Sequence, residues 1–286
     1  MKYFLLFGLL CNIFLFNSCK KYEAAPAAFF IKSSPVSVAT TGTAQGTSSN
    51  KITDLYLYIN GKFQGAFQEG NTLPIPTYNK NVSIDVFAGI KNNGIKSLSI
   101  TWIFYDKISF DTLVESGKTI NRPMTFKYNP NTKFLWMENF EGNGFSIVKS
   151  TDYNGDTAAS FKVAQPFDTF EGSKSVELSL PGNHSIGVLE SSIPYALPKA
   201  NSNVYLELNY KCDSPFEVGV IGDWVSPKTA LNINAQPNWN KIYIQLADAI
   251  NRSPAPDQQK IYFRVVKTND FPDPHVWLDN IKLIYL

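Results

Sequence analysis

Apolar and polar residues alternate along most of this chain with a period of two, and no long stretch shows the three-to-four spacing of an amphipathic helix. In ITDLYLYINGKFQGAF, Leu55, Leu57 and Ile59 point one way and Tyr56 and Tyr58 the other. Asn60-Gly61 then supplies a two-residue turn, because both residues tolerate positive φ, and predicts a hairpin. VSIDVFAGI places Val82, Ile84, Val86 and Ala88 on one face. KSLSITWIFY does the same with Leu98, Ile100, Trp102 and Phe104, and PMTFKY closes this half of the chain. SVELSLPG, VYLELNYK, FEVGVIG, KIYIQLAD, IYFRVVK and VWLDNIKLIYL continue the pattern to the end. The reading is all-β.

The Pro/Asn-rich joint KYNPNTK, residues 127–133, divides the strands into two groups. Residues 28–127 hold about seven strands in about 100 residues, which predicts an Ig-like β-sandwich. The cysteine pair of antibody domains is absent, so that likeness is one of architecture. Residues 134–286, with a strand at each end and several between, predict a jelly-roll β-sandwich.

Alternation also assigns faces. On VYLELNYK, Val204, Leu206, Leu208 and Tyr210 would face the core, leaving Tyr205, Glu207, Asn209 and Lys211 outside. By the same rule Tyr243 and Gln245, and Tyr262 and Arg264, would point outward from their strands. Outward tyrosines among amides, a carboxylate and a guanidinium suit sugar recognition: rings stack on C–H faces while the polar groups bond hydroxyls. Trp224, in a GDWVSP loop, joins this candidate ligand-binding set. The competing reading is that tyrosine simply suits half-exposed strands.

The first residues change the picture of location. MKYFLLFGLLCNIFLFNSC carries one cation, Lys2, before an apolar run from Tyr3 to Phe16. That run is shorter than the roughly 20 residues of a spanning helix, so residues 1–18 read as an export signal. The signal ends at Ser18-Cys19, which resembles the lipobox of bacterial lipoproteins. The resemblance implies acylation of Cys19 and membrane-lipid attachment, with residues 19–27 as a tether. The neighbours Phe16 and Asn17 depart from its commonest form. With Cys11 in the signal and Cys19 acylated, Cys212 alone remains, and no internal disulfide is expected. A formal net charge of +2 without clustered cations argues against nucleic acid.

Three pieces of the second group resemble the jelly-roll carbohydrate-binding modules: Glu138-Asn139-Phe140-Glu141-Gly142, Gly172-Ser173-Lys174-Ser175-Val176-Glu177-Leu178, and Trp277-Leu278-Asp279-Asn280-Ile281-Lys282-Leu283. Asn238–Ile244 fits as a further strand. The resemblance covers about 150 residues. It implies a structural calcium ion, with carboxylates from Glu141 and Asp279 and main-chain oxygens near Gly172 and Lys174. YLYINGKFQG, LPIP and VFAGIKNNGIKSLSITWIFY resemble the N-terminal part of uncharacterised Bacteroidota lipoproteins. That implies the outer membrane, with the cell-surface and periplasmic leaflets both open.

The two histidines, His184 and His275, stand in loops, and no metalloprotease, redox, nucleophile-elbow or phosphate-loop motif occurs. Glu138 and Glu141, at i and i+3 of an extended chain, would face opposite ways and make a poor glycosidase pair. No enzyme is expected. Two functions stay open: a lipid-anchored glycan-binding or adhesion protein, and a structural or assembly lipoprotein that docks an envelope protein partner such as an outer-membrane complex.

Overall fold

Two cores, each between two sheets, form because most strands follow the alternation predicted above. The computed structural model describes residues 27–76, 81–150, 160–164, 168–200, 203–222, 226–254 and 258–286. The first sandwich comprises β1 (Phe29–Ala39), β2 (Asp54–Ile59), β3 (Lys62–Gln68), β4 (Thr72–Ile75), β5 (Asn81–Lys91), β6 (Ser99–Thr101), β7 (Ile108–Leu113) and β8 (Thr119–Lys127). One sheet has the order β4-β1-β8. The other has the order β3-β2-β5-β6, with β7 also on β5. β1 runs parallel to β8 and antiparallel to β4. Leu55, Leu57, Ile59, Val82, Ile84 and Val86 from one sheet meet Ile31, Leu73, Met124 and Phe126 from the other. Asn60 and Gly61 hold the positive φ values, 49° and 74°, that the predicted hairpin turn demands.

One strand is shorter than expected. Only Ser99–Thr101 of KSLSITWIFY is extended. Leu98 is exposed, while Trp102 and Phe104 are buried in a turn that points them toward the second sandwich.

The jelly roll comprises β9 (Lys133–Glu138), β10 (Ile147–Lys149), β11 (Ser160–Val163), β12 (Val176–Ser179), β13 (Ile186–Ser191), β14 (Val204–Cys212), β15 (Phe216–Gly222), β16 (Lys228–Ile233), β17 (Gln236–Gln245), the helix α1 (Ala247–Arg252), β18 (Gln259–Val266) and β19 (His275–Tyr285). Its sheets have the orders β10-β13-β18-β15-β16 and β11-β12-β19-β14-β17, with β9 also on β19. Leu206, Leu208 and Leu278 of one sheet pack on Val218, Phe263 and Val265 of the other.

The connection at 127–133 has no slack. Asn129 N–H donates to the Phe104 carbonyl at 2.8 Å, Thr132 N–H to the Asn129 carbonyl at 2.9 Å, and Tyr128 and Thr132 are buried. The first core continues across this joint: Tyr205, Tyr243 and Ile284, from the outer face of the β14–β17–β19 sheet, belong to the apolar cluster of the first sandwich.

Candidate functional site

That continuity overturns the expected ligand face. Tyr205 is 4% exposed, Tyr243 2%, Asn209 1% and Glu207 0%. They do turn away from the jelly-roll core, as alternation requires, but the first sandwich covers them. Trp102 lies 4.9 Å from Tyr205 and 4.7 Å from Tyr243, centroid to centroid. Ser49 Oγ donates to Asn209 Oδ1 at 2.8 Å, and Lys51 N–H donates to the Tyr243 hydroxyl at 2.9 Å. Gln245, half-buried at the end of β17, receives the first sandwich too: its N–H donates to Asn93 Oδ1 at 2.9 Å.

A charged network fills the middle of this seam. Tyr128 donates its hydroxyl to both Glu207 carboxylate oxygens at 3.0 and 3.1 Å. Lys241 Nζ sits 3.0 Å from Glu207 Oε2 as an ion pair, off hydrogen-bond alignment. Lys282 Nζ donates to the Thr47 carbonyl at 2.6 Å and the Tyr128 hydroxyl at 3.2 Å. Burial, ahead of every other influence, lowers the Lys282 pKa to about 8. Glu207 pairs with Lys241 and accepts from Tyr128, while Lys282 reaches Tyr128 and Thr47, so the network joins the sandwiches through these two residues.

The other predicted contacts divide. Tyr262 and Arg264 lie on the opposite sheet, on β18. Tyr262 is fully buried, its hydroxyl 2.9 Å from Thr229 Oγ1, and its ring occupies space that a side chain at Gly219 would need. Arg264 forms a two-pronged ion pair with Glu217. Trp224 and Cys19, together with the export signal and most of the tether, lie outside the described residues. Cys212 is fully buried, and desolvation pushes its thiol up to about 11, the environment of a structural cysteine.

Asp279 and Asn280 form a bulge in the closing strand. Asn280 has φ 49°, and the register between β14 and β19 shifts there. At this point β19 exchanges β12 for β9 as its neighbour. Asp279 Oδ2 accepts the N–H groups of Phe170 and Glu171, both at 3.2 Å. Glu141 accepts the N–H groups of Ser173 and Lys174, both at 2.8 Å, and the Ser173 hydroxyl at 2.7 Å. Gly172, at φ 69°, has no room for a Cβ because the Glu141 carboxylate fills that place. The two carboxylates thus converge on one loop. Desolvation first, with the Glu141 charge adding to it, raises Asp279 to about 7. A cation beside them would relieve that penalty, so in charge the pair fits one. Among the described residues no group of three His, Cys, Asp or Glu side chains is placed to hold a metal, so most of any shell would be main chain. Lys174 already directs its ammonium to the Gly142 carbonyl at 3.0 Å.

One open space was missed by face assignment. A cleft of about 1120 Å³ lies between the sandwiches, lined on one side by residues of β2, β3 and the turn after β5, and on the other by the β16–β17 hairpin. Its walls carry Lys51, Lys91, Lys96 and Asp54, and the amides of Gln68, Asn232, Asn234, Gln236 and Asn240. Lys51 donates to Asn240 Oδ1, and Asn240 Nδ2 donates to the Tyr210 hydroxyl at 3.1 Å. The turn at Asn92–Asn93 is pinned to β17: Asn93 N–H donates to the Tyr243 carbonyl at 2.9 Å. Both walls therefore hang from the buried seam and are held at fixed spacing. The amide-rich run Asn232-Ile233-Asn234-Ala235-Gln236 was the one local sequence signal of this site.

A second exposed feature adjoins the cleft. On the outer face of the β3-β2-β5-β6 sheet, Tyr58 lies 5.2 Å from Phe63, tilted, and 5.3 Å from Phe87, edge to face, and Phe63 is 54% exposed. Gly89 lets the Tyr56 ring lie flat across β5, since a Cβ there would approach it to 2.7 Å.

No protein-family model matches the chain. No curated protein matches it either. Solved structures of related shape include a family 61 carbohydrate-binding module in complex with β-1,4-galactotriose, at 14% identity and TM-score 0.34, covering 49% of this chain and 88% of that one. Others are the family 11 module of a cellulosomal cellulase of Clostridium thermocellum, at 16% identity and TM-score 0.35, covering 55% and 95%, and a family 29 module complexed with mannohexaose, at 6% identity and TM-score 0.36, covering 54% and 92%. At such low similarity the ligands of those modules identify no binding residue in this chain.

Proposed function

We propose that this is a non-catalytic, lipid-anchored cell-envelope protein that binds a glycan in the cleft between its two sandwiches. The observation that carries the reading is the cleft itself: open, set between two β-sandwiches that share a buried seam, and lined by side-chain amides that can both donate to and accept from hydroxyls. In this reading the N-terminal sandwich is an Ig-like platform that supplies one wall, and the jelly roll supplies the other. The anchor is Cys19, at the end of the export signal, and the site of attachment is the outer membrane of a Bacteroidota-type envelope. A glycan array probed with the chain lacking residues 1–26 tests the binding. Retention on polysaccharide that is lost in Asn240→Ala supports the cleft, and an array without a bound glycan refutes it.

A second reading is favoured by exposed Phe63 and the half-buried rings of Tyr56, Tyr58 and Phe87 around it: an assembly lipoprotein docking an envelope protein partner. Co-purification with a membrane complex from native envelope, abolished by Phe63→Ser, would support it over glycan binding.

We further propose a structural Ca2+ at Glu141 and Asp279, completed by main-chain oxygens at Gly172 and Lys174. What supports it is the convergence of two carboxylates on one tight loop at the place where the closing strand changes partners. The ion would stabilise that corner and take no part in ligand chemistry.

A further inference from the structure

We infer that the interdomain cleft selects an acidic polysaccharide, one bearing uronic acid carboxylates or sulfate esters. This rests on the glycan reading above and names the class of chain.

The charges facing the cleft are unequal. Among the described residues that line it, Asp54 is the one carboxylate, and that group is already engaged: its Oδ2 takes the Lys91 ammonium at 2.8 Å, the Ser99 hydroxyl at 2.8 Å and the Thr53 hydroxyl at 2.7 Å. Lys241 forms part of the floor, but its charge is neutralised by Glu207 beneath it. Lys51 and Lys96 remain. Lys51 directs its ammonium to a neutral amide oxygen, that of Asn240, and burial lowers its pKa. A half-desolvated ammonium held by an uncharged partner is the group with most to gain from an incoming anion. Lys96 is exposed at the turn after β5, and no carboxylate among the described residues pairs with it.

Around these two cations the lining is amide, not charge. Asn232 and Asn234 on the hairpin wall are exposed, as is Gln68 on the opposite wall. A ligand that matches this wall presents hydroxyls along most of its length and an anionic group at intervals. Nucleic acid would put a charge on every unit and calls for clustered cations; two unpaired lysines among amides do not supply them. An acidic sugar chain has the right mixture.

The test is titration of the full-length chain, purified in detergent, with polygalacturonate and chondroitin sulfate against neutral galactan and mannan. The acidic chains should bind more tightly. Lys51→Gln with Lys96→Gln should weaken them roughly ten-fold or more, since a hydrogen bond to a charged group typically contributes that much or more. Affinity should fall as salt rises from about 0.05 to about 0.5 M and the screening length shrinks. Lys96→Gln alone, at an exposed turn, should leave the melting temperature unchanged, and Lys107→Gln, outside the cleft, should leave binding unchanged. Equal binding of neutral chains, unaffected by the lysine substitutions, overturns the acidic class and leaves glycan binding standing. Binding of no polysaccharide overturns glycan binding itself. Equal capture of DNA and polyglutamate overturns the selectivity.

Discussion

Glu207→Gln isolates the buried seam because it removes one charge and almost no volume. Glu207 is fully buried, and the two ammonium groups it faces belong to residues only 5% (Lys241) and 2% (Lys282) exposed. In the variant the Tyr128 hydroxyl can still donate to the amide oxygen, so the hydrogen bond survives and the charge balance does not. Leaving a buried charge without its partner costs about 3–5 kcal/mol. At roughly 2–4 °C per kcal/mol, the thermal midpoint should drop by roughly 6–20 °C. Urea unfolding followed by tryptophan fluorescence should show the same loss, with Trp102 at the seam as reporter. Glu207→Leu combined with Lys241→Met should recover most of it, because apolar replacement of a buried pair is neutral or stabilising by about 1–4 kcal/mol; Lys282 keeps Thr47 and Tyr128 as partners. A loss under about 1 kcal/mol for Glu207→Gln, the value of a solvated pair, would mean that the sandwiches part in solution, and the rigid-cleft argument would fall with them.

Lys282 predicts an alkaline effect: its folded pKa of about 8 lies below the unfolded 10.5, so its contribution is lost as pH falls through 8 and stability should rise between about pH 8 and 10.5, a slope that Lys282→Met should flatten in urea titrations. Asp279 has the opposite sign: raised from 3.8 to about 7, it should make the calcium-free protein less stable as pH rises from about 4 to 7. If Glu141 and Asp279 hold calcium, chelation should lower the melting midpoint by several degrees, since an ion at 100 times its dissociation constant contributes about 2.7 kcal/mol; Asp279→Ala should melt low with or without calcium, and identical curves with chelator and with calcium would remove the site. Cys19→Ala should release the protein from the membrane fraction and abolish lipid detected by mass spectrometry, whereas unchanged membrane association without lipid would sink the anchor.

Period-two alternation sufficed for the strands of the two cores, and the Asn60-Gly61 dipeptide for its hairpin, because each of these signals is local. Alternation also turned Tyr205, Glu207, Asn209 and Tyr243 to the correct side of their strands. It could not say what lies on that side. A polar residue facing solvent and a polar residue facing a partner across a buried seam look alike in one dimension, and Glu207, Lys241 and Lys282 are far apart in sequence until β14, β17 and β19 are paired. The cleft escaped for the same reason: its walls come from residues 51–96 and 231–243, and neither wall is a site alone. The bulge at Asp279-Asn280 was visible as an acidic interruption in an apolar strand, but its effect, the exchange of β12 for β9, required the register.

The parallel pairing of β1 with β8 sets how the molecule bears mechanical load. If the chain is anchored upstream of residue 27 as proposed, tension reaches the fold through the start of β1, and the share of a ligand's pull borne by the jelly-roll wall of the cleft arrives through the joint that follows β8. Parallel strands drawn from opposite ends slide past one another, and the ladder from Phe30–Thr119 to Ala39–Lys127 is strained in shear, all its rungs together. β4, antiparallel on the other flank, braces the first residues of β1. Loaded in that way, β1 would act as a clamp rather than a zipper.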